Sequence, residues 1–143
     1  MLGVDCSKVG LEKAQSLAKS RGVVIETEVV DLDEFQPKDN HFGSIVSISA
    51  HLPSAIRHKL YPLIEKALKP DGIFLLEAYS ENQLAKNTGG PKDIDMLMTV
   101  GKLRQELPSL KPILAREIER EVSEGKGHTG MASVVQYIAR KEA

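Results

Sequence analysis

Tryptophan is absent from this chain, cysteine occurs once, and aromatic residues make up only 4% of its 143 residues. With Cys6 alone, a disulfide within the chain and a cysteine-based zinc site are both excluded. His41, His51, His58 and His128 show no metal-ligand spacing, which argues against a zinc site built on imidazoles. An excess of charge is missing too. Nineteen basic against twenty acidic side chains leave a formal net charge of −1, so nucleic acid and anionic membranes are not expected partners. No apolar run approaches the roughly 20 residues that cross a bilayer, and the amino terminus lacks a secretory pattern. A reducing, cytoplasmic location is the expectation. What is present is ordinary globular composition, 41% hydrophobic and 27% charged, in a length that suits one domain, residues 1–143, with a real core.

Short apolar runs alternate with helix-period segments, the signature of stacked βαβ units. Met1 to Val4 reads as a strand ended by Asp5. Ser7 can cap a helix through about Arg21, with Leu11, Ala14, Leu17 and Ala18 on its inner stripe and Gly22 as a left-handed stop. Val23 to Val30 is a β-branched strand ended by Asp31, and Ile45 to Ser49 is a third strand. A helix is predicted over 54–68, where Pro62 removes an amide donor and crowds the His58 carbonyl, so a kink or a late start is expected. Lys69-Pro70-Asp71-Gly72 is a tight turn leading into the apolar strand Ile73 to Tyr79, which should be covered on both faces.

Thr88-Gly89-Gly90-Pro91 must be a loop, and Thr99 can cap a helix through Leu107 that Pro108 stops. Ile113 to Val122 and Met131 to Arg140 look like two strands around a glycine-rich turn, and strands so close in sequence must be antiparallel. The fold class is therefore α/β. A three-layer, Rossmann-like, mostly parallel sheet should end in a C-terminal antiparallel hairpin.

Ligands of open α/β sheets bind outside the carboxyl ends of the strands. Asp5 closes the first strand, where a carboxylate can accept from two ribose hydroxyls. Asp31 and Leu32 close the second, where an acid can take an adenine amine and an apolar neighbour can pack on the ring. Ser49-Ala50-His51 follows the third. Any one such acid also serves as an ordinary loop anchor or helix cap, and their recurrence on one rim is what suggests a nucleoside cleft. Cys6 reads as a small, partly buried hydrophobe. His128 lies near Glu121 and Glu124 in the terminal turn and can act as a general base or a polar hairpin tip. Tyr79, which ends the strand from Ile73, can line a pocket or cover the sheet.

These residues resemble a class I S-adenosylmethionine-dependent methyltransferase of the small-molecule type over nearly the whole chain. The resemblance rests on Gly3-Val4-Asp5-Cys6-Ser7, Val30-Asp31-Leu32 and Leu68-Lys69-Pro70-Asp71-Gly72-Ile73-Phe74-Leu75-Leu76-Glu77, and on the terminal hairpin. Thr88 to Pro91 and Glu121 to Gly130 resemble a branch related to tellurite-resistance methyltransferases. The resemblance implies S-adenosylmethionine as cofactor, with Asp5 and Cys6 at the ribose, Asp31 and Leu32 at the adenine, and Ser49, Ala50 and His51 at the methionine end. It also implies a small-molecule acceptor met by Tyr79, Gly89, Gly90, Glu121 and Glu124, with His51 or His128 as the catalytic base.

One departure stands out. The family begins with a strand and a glycine-rich loop that lets the backbone approach the methionine part of the cofactor, where a Cβ would obstruct. The sequence contains no such loop before Asp5. The absent strand is central in the family's sheet, so three arrangements are open. The flanking strands close on each other, a second chain completes the sheet as a homodimer, or the working protein is longer. Weak or absent cofactor binding by this chain is the expectation, and a catalytically silent module acting through protein association is the alternative function.

Overall fold

A computed structural model of the protein describes residues 1–142 and divides the chain into two compact units, Met1–Gln36 and Pro37–Ala143. The first unit is a single βαβ turn. Strand β1 (Leu2–Asp5) runs parallel to β2 (Glu26–Val29), with Asp5 opposite Val29. Between them α1 (Lys8–Ser20) starts as the sequence predicts, with the Ser7 side chain accepting from the Gly10 amide, and stops before Gly22 at φ +67°. Its buried stripe is narrower than expected. Leu11 and Ala18 are buried, whereas Leu17 is exposed. Strand β2 is also shorter than its apolar run, because the Val23 amide is committed to the Ala18 carbonyl at the helix end.

The second unit holds a four-stranded sheet in the order β3-β4-β6-β5, built from β3 (Phe42–Ile48), β4 (Leu68–Tyr79), β5 (Leu110–Ser123) and β6 (Thr129–Lys141). The β3–β4 pair is parallel, and the β4–β6 and β5–β6 pairs are antiparallel. This sheet is mixed, which corrects the mostly parallel expectation: the long hairpin supplies as much of it as the parallel pair does. The turn Lys69 to Gly72 is present but sits inside β4 as a bulge, with Asp71 at φ +63° and the register jumping from Phe42–Leu68 to Ser44–Ile73. Only glycine fits its last position, since a Cβ on Gly72 would lie 2.7 Å from the Lys69 carbonyl oxygen.

Strand β4 does not bury both faces equally. Phe74, Leu76 and Ala78 are buried, while Ile73, Leu75 and Glu77 on the other face are half-buried. Helix α2 (Ser54–Ala67) runs unbroken through Pro62, so no late start occurs. Buried Leu60, Tyr61 and Ile64 hold it in place, and Tyr61 meets Phe74 edge-on. Tertiary burial here outweighs the missing amide bond. Helix α3 (Val100–Glu106) is capped by the Thr99 hydroxyl, as read from the sequence. Among the described residues no helix is long and apolar enough to cross a membrane, and no group of three or more His, Cys, Asp or Glu is placed to hold a metal ion.

One polar weld fixes α2. Arg57, only 2% exposed, donates to both Glu106 carboxylate oxygens (2.8 and 3.0 Å) and to the Leu52 and Asp95 carbonyls (2.6 Å each). Asp95 in turn accepts from the Ser54 amide and hydroxyl at the start of the helix. All three guanidinium nitrogens are hydrogen-bonded, so removing one partner leaves the other uncompensated. Arg57→Met is expected to lower the unfolding free energy by about 3–5 kcal/mol, read as a lower urea midpoint. Arg57→Met with Glu106→Leu should recover most of that loss. A single-variant cost below about 1 kcal/mol would show the pair to be energetically idle.

Candidate functional site

In the first unit the two carboxylates singled out by sequence fall at the carboxyl ends of neighbouring parallel strands. The chain continues the pairing past Asp5, with the Val30 amide donating to the Asp5 carbonyl at 3.1 Å, so Asp31 follows directly on the same rim. Each acid also has the plainer role of loop anchor. Asp5 Oδ1 accepts from the Ser7 amide at 2.7 Å, and Asp31 Oδ1 from the Asp33 amide at 3.0 Å. A carboxylate has a second oxygen, and both residues are exposed, so the two roles are compatible. Cys6 is exposed rather than partly buried, because β1 ends at Asp5 and the chain turns outward into the α1 cap.

The second unit gathers most of the remaining candidates around one cavity of about 460 Å³, lined by Ser49, His51, Tyr79, Gly90, Pro91, Glu124 and His128. It lies at the carboxyl ends of β3 and β4. Ser49, at φ +55°, extends the pairing by donating its amide to the Glu77 carbonyl at 2.9 Å. His51 then reaches across to β4, where its Nε2 accepts from the Tyr79 amide at 3.0 Å. The Ser49 backbone pulls the ring toward its protonated form. With Nε2 acting as acceptor, the proton must sit on Nδ1. Burial is the largest influence on this imidazole and holds its pKa below the ordinary histidine value, and His128 pushes in the same direction. The Tyr79 amide occupies Nε2, so His51 has no lone pair left for a substrate proton.

Both imidazoles stack on Tyr79, His51 at 5.1 Å between centroids and 9° between planes, and His128 at 6.3 Å and 13°. Neither ring nitrogen of His128 is hydrogen-bonded among the described residues. Tyr79 is 5% exposed, and its phenol oxygen has no hydrogen-bond partner among those residues. Burial first, and the Glu124 carboxylate second, push the phenol up from its ordinary value, so it stays protonated. Glu124 enters the cavity wall, whereas Glu121 does not line it. Glu121 lies opposite Met131 in the hairpin ladder with its side chain exposed.

The Thr88 to Pro91 loop is fastened over β4 by a residue that sequence reasoning passed over. Gln83, 1% exposed, donates to Thr88 Oγ1 (2.9 Å) and the Gly89 carbonyl (3.0 Å), and its own carbonyl accepts from the Ser133 amide (2.8 Å). Nothing in a lone glutamine after a strand announces this. The loop packs so closely that a Cβ on Gly89 would lie 2.4 Å from His128 Cδ2, and one on Gly90 2.7 Å from Tyr79 Cδ2. Behind the cavity, Arg120 bonds Glu77 and, at 3.2 Å, Glu124, while Gln136 donates to Glu77 at 2.6 Å. Burial would raise the Glu77 pKa, but these donors outweigh it and hold the carboxyl below its ordinary value.

The sequence model of the family described as "Methyltransferase domain" matches residues 1–126, across both units, and the chain belongs to that family. Comparison with curated proteins returns no match. Among solved structures, one reported for the conversion of a disulfide bond into a thioacetal group during echinomycin biosynthesis superposes with a TM-score of 0.77 at 12% identity, over 99% of this chain and 66% of that one. TehB from Haemophilus influenzae gives 0.77 at 13% identity, over 99% of this chain and 49% of its own. A SAM-dependent methyltransferase from Methanosarcina mazei gives 0.74 at 17% identity, over 99% and 81%. At these identities the likeness establishes the fold. The chain spans a little under two thirds of the first of these structures and about half of TehB.

Two outcomes follow for the site. Gly90→Ala should destabilise the protein more than Gly22→Ala. Both glycines hold a positive φ, but a Cβ at Gly22 meets nothing within 4 Å and its cost is about 1–2 kcal/mol; equal urea midpoints for the two variants would contradict the close loop packing. The second concerns pH. A histidine whose folded pKa is depressed contributes stability that is present above its unfolded value and lost as pH falls toward the folded one. His51→Gln should therefore weaken the loss of stability between about pH 7 and about pH 5. An unchanged slope would contradict the burial of a neutral His51.

Proposed function

We propose that this chain is the fold of an S-adenosylmethionine-dependent methyltransferase, acting on a small-molecule acceptor held in the cavity of the second unit. The observation that carries the reading is the convergence of Ser49, His51, Tyr79, Gly90, Glu124 and His128 on one cavity at the strand ends where open α/β sheets take ligands, in a member of the methyltransferase domain family. The adjacent, exposed Asp5 and Asp31 suit a nucleoside: Asp5, beside Cys6, holds the ribose, and Asp31 with Leu32 holds the adenine. Bound there, the cofactor supplies an electrophilic methyl group on a sulfonium sulfur.

The chain's own residues then align the acceptor and exclude water. Tyr79 and the Gly89–Gly90 loop form the wall, and Gln83 keeps that loop closed. His128, with unengaged nitrogens, takes the acceptor proton; His51 positions the strand ends. The meeting of Gly89 with His128 in space also favours the tellurite-resistance branch, since both segments that suggested it belong to one structure.

The methionine end fits less well. The closely spaced glycines Gly125, Gly127 and Gly130 fall in and beside the hairpin turn, and no glycine-rich loop follows β1 or β2. Strands β1 and β2 form one sheet, and β3, β4, β6 and β5 another. Cofactor binding by this chain is therefore weaker than micromolar. Calorimetric titration with S-adenosylmethionine should give no saturation in the micromolar range, and saturable micromolar binding would overturn this part of the reading.

A second reading, a catalytically silent module that works by association, draws on the edge of β3. Val46 is 62% and Ile48 53% exposed there, and an unpaired strand edge is a template for another strand. Sedimentation should then show a dimer completing the sheet; a monomer across the micromolar range counts against it.

A further inference from the structure

We infer that the acceptor taken by the cavity of the second unit is an amine, recognised through Glu124 and His128. This rests on the methyl-transfer reading and adds the class of substrate. The lining contains one carboxylate and no lysine or arginine. The nearest guanidinium, Arg120, is already committed: it bonds Glu77 and Glu124, and its other nitrogen donates to the Glu121 carbonyl at 3.1 Å. Glu77, Arg120 and Glu124 together carry a net charge of −1, and the neighbouring His51 is neutral.

An anionic acceptor such as a carboxylate or thiolate would meet this charge with no cation to offset it. An amine meets a carboxylate acceptor at Glu124 instead. The Tyr79 ring lines the cavity, while its phenol oxygen is buried away from it and takes no part in recognition. His128, whose ring nitrogens are unengaged, can receive the proton that an ammonium must release before its nitrogen has a free lone pair. Charge-assisted hydrogen bonds of this kind are about twice as strong as neutral ones, so they decide between ligands of equal size. The cavity's volume lies within the range of small-molecule sites.

The test uses the full chain without cofactor and three probes of one shape: benzylamine, benzyl alcohol and benzoate. Binding is followed through the ring C–H signals of His128 and Tyr79 by NMR at neutral pH. Benzylamine should bind about tenfold or more tightly than the other two. Glu124→Gln should remove that preference and leave benzyl alcohol unchanged, and Glu121→Gln, altered outside the cavity, should keep it. Benzoate binding as tightly as benzylamine, a preference that survives Glu124→Gln, or no response from any probe would overturn the inference. Cofactor binding is measured separately. Its absence leaves an amine preference standing, and its presence without that preference leaves the methyltransferase reading standing.

Discussion

The site depends on one hydrogen bond. His51 Nε2 accepts from the Tyr79 amide just past the point where the β3–β4 ladder ends, so the loop leaving one strand is tied to the last residue of the next. The bond needs a neutral imidazole protonated on Nδ1, and the burial of the ring, the largest influence on it, favours the neutral form over the opposing pull of the Ser49 backbone. Tyr79, held this way, becomes the plate on which both imidazoles stack and against which Gly90 packs. Without the bond, a buried backbone amide at the cavity floor would need another acceptor. Cavity shape, loop closure and the freedom of His128 follow from the same contact.

The surrounding polar groups divide into those that build and those that face a ligand. Gln83 belongs to the first kind: its carbonyl and amino group join the loop to β6, and beside it the Ser80 and Ser133 hydroxyls meet at 2.7 Å. Arg120 is likewise structural, bridging Glu77 on β4 and Glu124 at the hairpin tip. What it leaves unneutralised is one negative charge, and that residue of charge sets the chemistry of the wall. Buried polar groups that satisfy each other fix geometry; the His128 ring is the group left to act outward.

Much of this was legible in the sequence because it rests on local chemistry. Ser7 and Thr99 cap helices through their own hydroxyls, Gly22 stops one, and the hairpin from Leu110 to Lys141 follows from β-branched runs around a glycine-rich turn. Asp5, Asp31, His51 and Tyr79 drew attention because strand ends are where such sheets bind ligands, and His128 because it sits in the hairpin turn. The misses are non-local. Pro62 sits inside a helix because buried neighbours hold it there, Leu17 faces out although its spacing points in, and Glu121 misses the cavity because it stays in the β5 ladder with its side chain exposed, whereas Glu124 lies past the strand's end in the turn. Neither Gln83 nor the Arg57 weld carries any periodic signal. The role of His51 could not be read at all, since a base and an acceptor for a backbone amide look alike until the partner is placed.

The account turns on the protonation state of that one ring. The direct measurement is the nitrogen chemical shifts and long-range nitrogen–proton couplings of His51 in the ¹⁵N-labelled protein at neutral pH. The account predicts the neutral tautomer with its proton on Nδ1 and an unprotonated Nε2. An imidazolium, or a neutral ring protonated on Nε2, would contradict it, because neither can accept the Tyr79 amide.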